Sequence, residues 1–301
     1  NRTVRSLSFD APFTYTLNNN TITFDAGSVP GFTGIAATQT RGSAPHTINS
    51  NLALANDITI RNNSAGTLSL NGNTSTAGND IAFDGSGTTA VSGVISGGGA
   101  ISKSESGTVQ LNATNTYTGG TTLSGGTIST NNNSGLGTGA ITLAGGTLTS
   151  TAGNTLANTT TLTGNAAVSN ITLSGAFTQS GGNRTLTLNN ATLSGPVSLS
   201  NNSTNRTLTV ATDTGASSTL SGVISNGSST ASSLTKTGAG TLTLSGANTY
   251  TGTTTISAGT LALGASDRLA NTSAMNIAGG TLDLSGNSEQ VGNKPYRSEE
   301  R

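Results

Sequence analysis

Acid–base or nucleophilic chemistry needs a base, and the chain contains a single imidazole, His46, in the run Arg41-Gly-Ser-Ala-Pro-His46. Hydroxyls are abundant, but a serine nucleophile also needs an activating base and an oriented acid, and no Gly-Asp-Ser-Gly or Gly-x-Ser-x-Gly element accompanies this histidine. His46 is therefore read as an exposed or locally satisfied loop residue. A carboxylate pair could hydrolyse a glycosidic bond, yet the twelve acids are scattered, and the closest strand neighbours, Asp80 and Asp84, share one strand face at best. They are read as solvated turn acids. Calcium would need repeated carboxylates, whereas Gly97-Gly98-Gly99-Ala-Ile and Gly279-Gly280-Thr-Leu-Asp283 supply at most one each. The absence of cysteine excludes disulfides, zinc–thiolate sites and thiol nucleophiles. No catalytic residue, metal site or cofactor is expected.

The polar residues that do recur are of another kind. Lys103, Gly107, Leu111, Asn115, Tyr117, Gly119, Leu123, Gly126 and Ile128 match Lys236, Gly240, Leu244, Asn248, Tyr250, Gly252, Ile256, Gly259 and Leu261, all at one constant offset along the chain. One lysine, one asparagine and one tyrosine at a fixed place in each copy point to structure rather than to a ligand. The asparagines are expected in turns, satisfying backbone groups or stacking between coils, with the tyrosines over the corner. An internal repeat of this fidelity makes the chain an array of stacked units.

A shorter period lies inside each copy. Val109, Ile128 and Leu148 follow one another at intervals of about 20 residues, and so do Leu242, Leu261 and Leu282. In Thr241-Leu242-Thr243-Leu244 the leucines fall on one side of a strand and the threonines on the other. Such a recurrence, with short alternating runs, predicts one turn of a β-solenoid, with Thr241–Leu244, Thr253–Ile256 and Thr260–Leu263 as the three faces of a coil. Glycine pairs at 125–126, 145–146 and 279–280 mark corners where positive φ or close backbone approach is needed. The composition fits: 3% aromatic residues and no tryptophan cannot fill a thick globular core, but a solenoid needs only a thin stack of inward aliphatics. Twelve basic and twelve acidic residues cancel, so the electrostatic footprint of a nucleic-acid binder is missing.

Residues 236–261 resemble the autotransporter-associated β-strand repeat of bacterial autotransporter passenger regions, whose pattern is Lys-Thr-Gly-x-Gly-Thr-Leu-x-Leu, then Gly-x-Asn-Thr-Tyr-Thr-Gly, then Thr-x-Ile-x-x-Gly-Thr-Leu. Residues 103–128 depart from it at Ser104-Glu105-Ser106 and Asn112-Ala113-Thr114. Upstream, Ser92–Ser96 and Ser221–Ser225 extend the likeness at a slightly smaller offset, so a short insertion precedes the lysine of the second copy. The resemblance implies an all-β, right-handed parallel β-helix (β-solenoid) of about 20 residues per coil.

The resulting division is an irregular N-terminal set of coils or cap over 1–50, a solenoid over 51–292 with repeat copies near 91–165 and 220–292, and a charged tail at 293–301. By the resemblance the chain is a non-enzymatic stalk or passenger segment, extracellular or on the bacterial outer-membrane surface, serving adhesion or surface structure. Its expected partners are host or neighbouring-cell surface molecules or glycans, and further copies end to end, with no nucleic acid; the parent protein would carry an outer-membrane β-barrel absent from these residues. Alternatives are a self-assembling extracellular filament subunit, a scaffold whose repeat drives folding during export, and a polysaccharide-active β-helix enzyme.

Overall fold

The computed structural model describes residues 2–4, 7–10, 13–18, 20–25, 35–41, 43–270, 273–292 and 294–297. Among these there is no helix; the chain forms short strands that pair in parallel with the strand about one coil away, the signature of a β-solenoid. The contacts divide it into two units, Asn1–Asn154 and Thr155–Arg301.

In the first unit three ladders run side by side. One contains Arg2–Val4, Thr21–Phe24, Asn51–Leu54, Thr74–Ser75 and Ile95–Ser96. The second passes from Leu7–Asp10 through Ile58–Asn62, Ile81–Asp84 and Ile101–Lys103 to Thr121–Leu123 and Ile141–Leu143. The third passes from Thr16–Leu17 through His46–Ile48, Leu68–Leu70 and Thr88–Val91 to Thr108–Leu111, Thr127–Ser129 and Thr147–Thr149. Strands of residues 1–50 thus supply rungs of all three ladders, although the coil there is long: Ile22 pairs with Leu52, and Leu7 with Ala37. Pro12, Pro30 and Phe32, part of that region's unusual composition, lie outside the described residues.

The second unit repeats the plan. Thr160–Leu162, Phe177–Gln179, Val197–Ser198 and Ile224–Ser225 form one ladder, and Ala166–Ser169, Arg184–Asn189, Thr207–Ala211, Ser233–Thr237, Thr254–Ile256 and Met275–Ile277 a second. The third runs from Thr155–Leu156 to Thr241–Leu244, Thr260–Leu263 and Thr281–Asp283. Ser288–Val291 then pairs antiparallel with Lys294–Arg297; the remainder of the charged tail, Asn293 and residues 298–301, is not described.

Thr241–Leu244 and Thr260–Leu263, expected as two faces of one coil, are instead successive rungs of one face: Thr241 pairs with Thr260, Leu242 with Leu261 and Leu244 with Leu263. The step from Leu242 to Leu261 is a whole turn, which in-register stacking of leucine on leucine requires. The face between them is Thr254–Ile256, and the remaining one is the non-strand segment around Asn248.

Alternation builds the core. Leu242, Leu244, Ile256, Leu261 and Leu263 are fully buried, while Thr241, Thr243 and Thr255 between them are partly exposed. Full burial of one such aliphatic is worth about 1.5–3 kcal/mol, and Leu244 is flanked by Leu220 in the preceding coil and Leu263 in the next. At the corners Gly126 and Gly259 adopt φ of 63° and 66°. A Cβ on Gly259 would also overlap the carbonyl oxygens of Gly238 and Gly240 in the preceding coil, so conformation and crowding both demand glycine. Neither Gly279 nor Gly280 is in the left-handed region; a side chain on Gly280 would instead strike Ile256.

Candidate functional site

The repeated polar residues turn inward. Lys236 lies on Ser233–Thr237 at an inward position, and its Nζ donates to the carbonyl oxygens of Thr237, Gly238 and Ala258 at 2.6, 2.8 and 3.3 Å. Lys103, at the same place on Ile101–Lys103, donates to the carbonyls of Ser104 and Glu105, the latter at 3.0 Å. An ammonium has three donors and no acceptor, so it suits a corner where several carbonyls converge. Burial lowers the pKa of both amines; for Lys103 the nearby Asp84 and Glu105 carboxylates oppose the shift.

Asparagine replaces a strand. In each unit a ladder ends, at Ile95–Ser96 and at Ile224–Ser225, and the next rung on that face is Asn-Thr-Tyr in irregular conformation. Asn115 Oδ1 accepts the Ile95 N–H at 2.8 Å and its Nδ2 donates to Gly135 O at 2.7 Å, one coil on. Asn248 does the same between Ile224 N–H, at 2.8 Å, and Arg268 O, at 2.7 Å. One donor and one acceptor on a planar amide reproduce what a peptide group offers a ladder. These amides therefore bond to backbone on both sides; side-chain amide stacks occur elsewhere, along Asn18, Asn49 and Asn71.

Two residues on, Tyr117 and Tyr250 are fully buried, each hydroxyl 2.6 Å from Oγ1 of the threonine that opens the next strand, Thr121 and Thr254. Desolvation raises both phenol pKa values well above their ordinary range. Gly107, Gly119, Gly240 and Gly252 each leave no room for a Cβ against the backbone of the preceding coil. Leu111 is fully buried like Leu244.

Outward-facing charge gathers at one place in the first unit. Arg61 pairs with Asp84 at 3.2 Å and with Glu105 at 3.1 Å; Ser104 Oγ donates to Asp84, and Glu105 accepts the Gly85 N–H at 3.0 Å. Asp80 is elsewhere, its Oδ1 accepting the Ala100 N–H at 2.7 Å, so Asp80 and Asp84 do not form a facing pair. Sequence reasoning missed this network, although Arg61, Asp84 and Glu105 are spaced by about one coil. It also missed that Glu105 has φ of 55°, at the position where the other copy has Gly238 with φ of 71°. The alignment of the two copies pairs a glutamate with a glycine there, the available signal of left-handed backbone.

His46 is not a loop residue. It opens the strand His46–Ile48 and is fully buried, because the period-2 alternation that buries Ile48 also turns position 46 inward. Glu289 is another buried titratable group: its carboxylate accepts the backbone N–H groups of Arg268, Leu269 and Gln290 at 2.7, 3.2 and 3.2 Å. Burial raises its pKa and the three hydrogen bonds work against that rise. Asn248 and Glu289 thus hold the Arg268 backbone from opposite coils, one at its carbonyl and the other at its N–H. At the glycine-rich segments weighed for calcium, Asp283 is exposed and accepts the Ser285 N–H at 2.8 Å. No group of three or more His, Cys, Asp or Glu placed to hold a metal ion occurs among the described residues.

Comparison with known proteins agrees with the repeat geometry. A family model described as passenger-associated-transport-repeat matches residues 101–129 and 234–263, which contain both copies of the lysine, asparagine and tyrosine. No curated protein and no solved structure matches the chain.

Proposed function

We propose that this chain is a β-helical segment of an autotransporter passenger, carried outside the bacterial cell or on its surface, where it serves as a non-enzymatic scaffold or stalk. The carrying observation is that the repeat's functional-group residues are used up internally: Lys236, Asn248 and Tyr250 all bond within the stack of coils. A ligand site or active site would present some of them to solvent. The family match, two copies of a passenger repeat on a solenoid, supports the location.

On this reading adhesion to host or neighbouring-cell molecules or glycans falls to the outward Thr, Ser and Asn positions, and end-to-end association of copies would make the segment a filament unit. The test is labelling of intact and permeabilised cells of the source bacterium with antibody raised against the purified chain. Labelling of intact cells is the expected result; labelling only after permeabilisation overturns the proposal. Turnover of a peptide, ester or polysaccharide by purified protein, abolished by substitution of His46 or Asp80, would overturn the non-enzymatic part separately.

A further inference from the structure

The most unusual environment outside the repeats is that of the lone histidine. The His46 ring stacks on Phe9, with centroids 4.9 Å apart and planes 18° apart, and Tyr15 leans against it at 5.6 Å and 35°. This is the only group of packed rings among the described residues. The Tyr15 backbone N–H donates to His46 Nδ1 at 3.2 Å, and in the next bond along, Thr47 N–H donates to Tyr15 O at 2.9 Å. The Nδ1 lone pair is thereby committed as an acceptor, so the neutral ring carries its proton on Nε2. That nitrogen is buried, and no described residue accepts from it.

We infer that His46 is a pH-sensitive latch on the N-terminal coils: protonation at Nδ1 removes the acceptor of the Tyr15 N–H and releases the segment Phe13–Leu17 from the His46–Ile48 strand. Two hydrogens cannot share the position, so the bond is lost outright. The ring lies against Phe9 from Leu7–Asp10 and Tyr15 ahead of Thr16–Leu17, and the register partner of His46 on the next rung is Leu68. Tyr15 is the one titratable group among them, and none of the three is a carboxylate. An aromatic face attracts an imidazolium only modestly. Desolvating an unpaired ion costs more than that attraction returns, so the neutral form is preferred. Burial accordingly holds the imidazole below its ordinary value.

The sign follows from linkage. With the folded pKa below the unfolded value of about 6.5, the released state binds more protons, so the latch weakens as pH falls through 6.5 and is fully open below the folded pKa. The test uses the full chain, isotopically labelled at its single histidine. NMR titration of the imidazole is combined with amide hydrogen exchange at Tyr15 and Thr47, referenced to Leu68–Leu70. We expect titration below 6.5, with protection at Tyr15 and Thr47 falling about tenfold for each unit by which the imidazole is displaced. In His46→Phe that pH dependence should vanish. Should His46→Phe fail to order this segment at any pH, His46→Gln, whose amide oxygen accepts without titrating, serves in its place and must also give pH-independent protection. The inference is overturned by an imidazole that titrates at or above 6.5. It is equally overturned by protection unchanged across the titration, or by the same pH dependence in a variant that lacks the imidazole.

Discussion

Asn248 accepts the backbone N–H of Ile224 at 2.8 Å across 24 residues, and Asn115 accepts that of Ile95 at the same distance across 20. The insertion carried by the second copy lies between the isoleucine and the lysine, yet the bond is unchanged, because both partners belong to stacked rungs and the extra residues are absorbed in the intervening turn. The asparagine is a rung in side-chain form, placed where a ladder of strands has just stopped.

Asn248→Ala should therefore strand the buried Ile224 N–H and the partly buried Arg268 O. Each unsatisfied group costs about 1–3 kcal/mol. Urea unfolding should show a loss in that range or above for Asn248→Ala, and a similar loss for Asn115→Ala. A loss below about 0.5 kcal/mol, the ordinary scatter of surface substitutions, would mean that water replaces the amide.

Stability should rise with pH as it climbs from the folded-state lysine pKa values toward about 10. The folded-state pKa values of Lys103 and Lys236 are lowered by burial, so between those values and the unfolded value near 10.5 the unfolded chain binds more protons and the slope of stability against pH is positive. Above about 10 the sign reverses, since Tyr117 and Tyr250 are held neutral in the fold while the unfolded phenols ionise. Thermal melts across this range test both limbs, and Lys103→Met combined with Lys236→Met should flatten the rising one.

Glu105 separates backbone cost from ion-pair gain. Glu105→Ala keeps a non-glycine residue at positive φ and loses the bonds to Arg61 and Gly85, whereas Glu105→Gly loses the same bonds and relieves the backbone. The glycine variant should be the more stable of the two by about 1 kcal/mol in denaturant unfolding. Equal stabilities would show that the left-handed conformation is abandoned once the carboxylate is gone.

Leu244→Asp places a carboxylate among Leu220, Leu242 and Leu263, with no partner charge. An uncompensated buried charge costs about 3–5 kcal/mol, enough to abolish cooperative unfolding of the coil or lower its melting temperature sharply. A melting temperature equal to that of the native chain would refute the inward placement.

The period, the alternation and the internal repeat were legible in the sequence because they are properties of the chain itself. A regular recurrence with Thr-Leu-Thr-Leu runs admits stacked coils and little else, and the repeated Lys, Asn and Tyr stood out in it by their fixed places. What each polar group bonds to was not legible, because its partners lie one whole coil away and are mostly backbone. Nothing in the spelling of Asn248 names Ile224 and Arg268, and nothing in Lys236 names three carbonyls at a corner. The face assignment failed for a related reason: Thr241–Leu244 and Thr260–Leu263 look like consecutive strands, and only pairing shows that they are the same face one turn later. His46 reads as a loop residue beside Pro45; its burial against Phe9 and Tyr15 depends on a coil formed well before it in the chain. Sequence periodicity determined the fold of this protein, and stacking between coils decided which of its polar groups would be buried, paired or left to titrate.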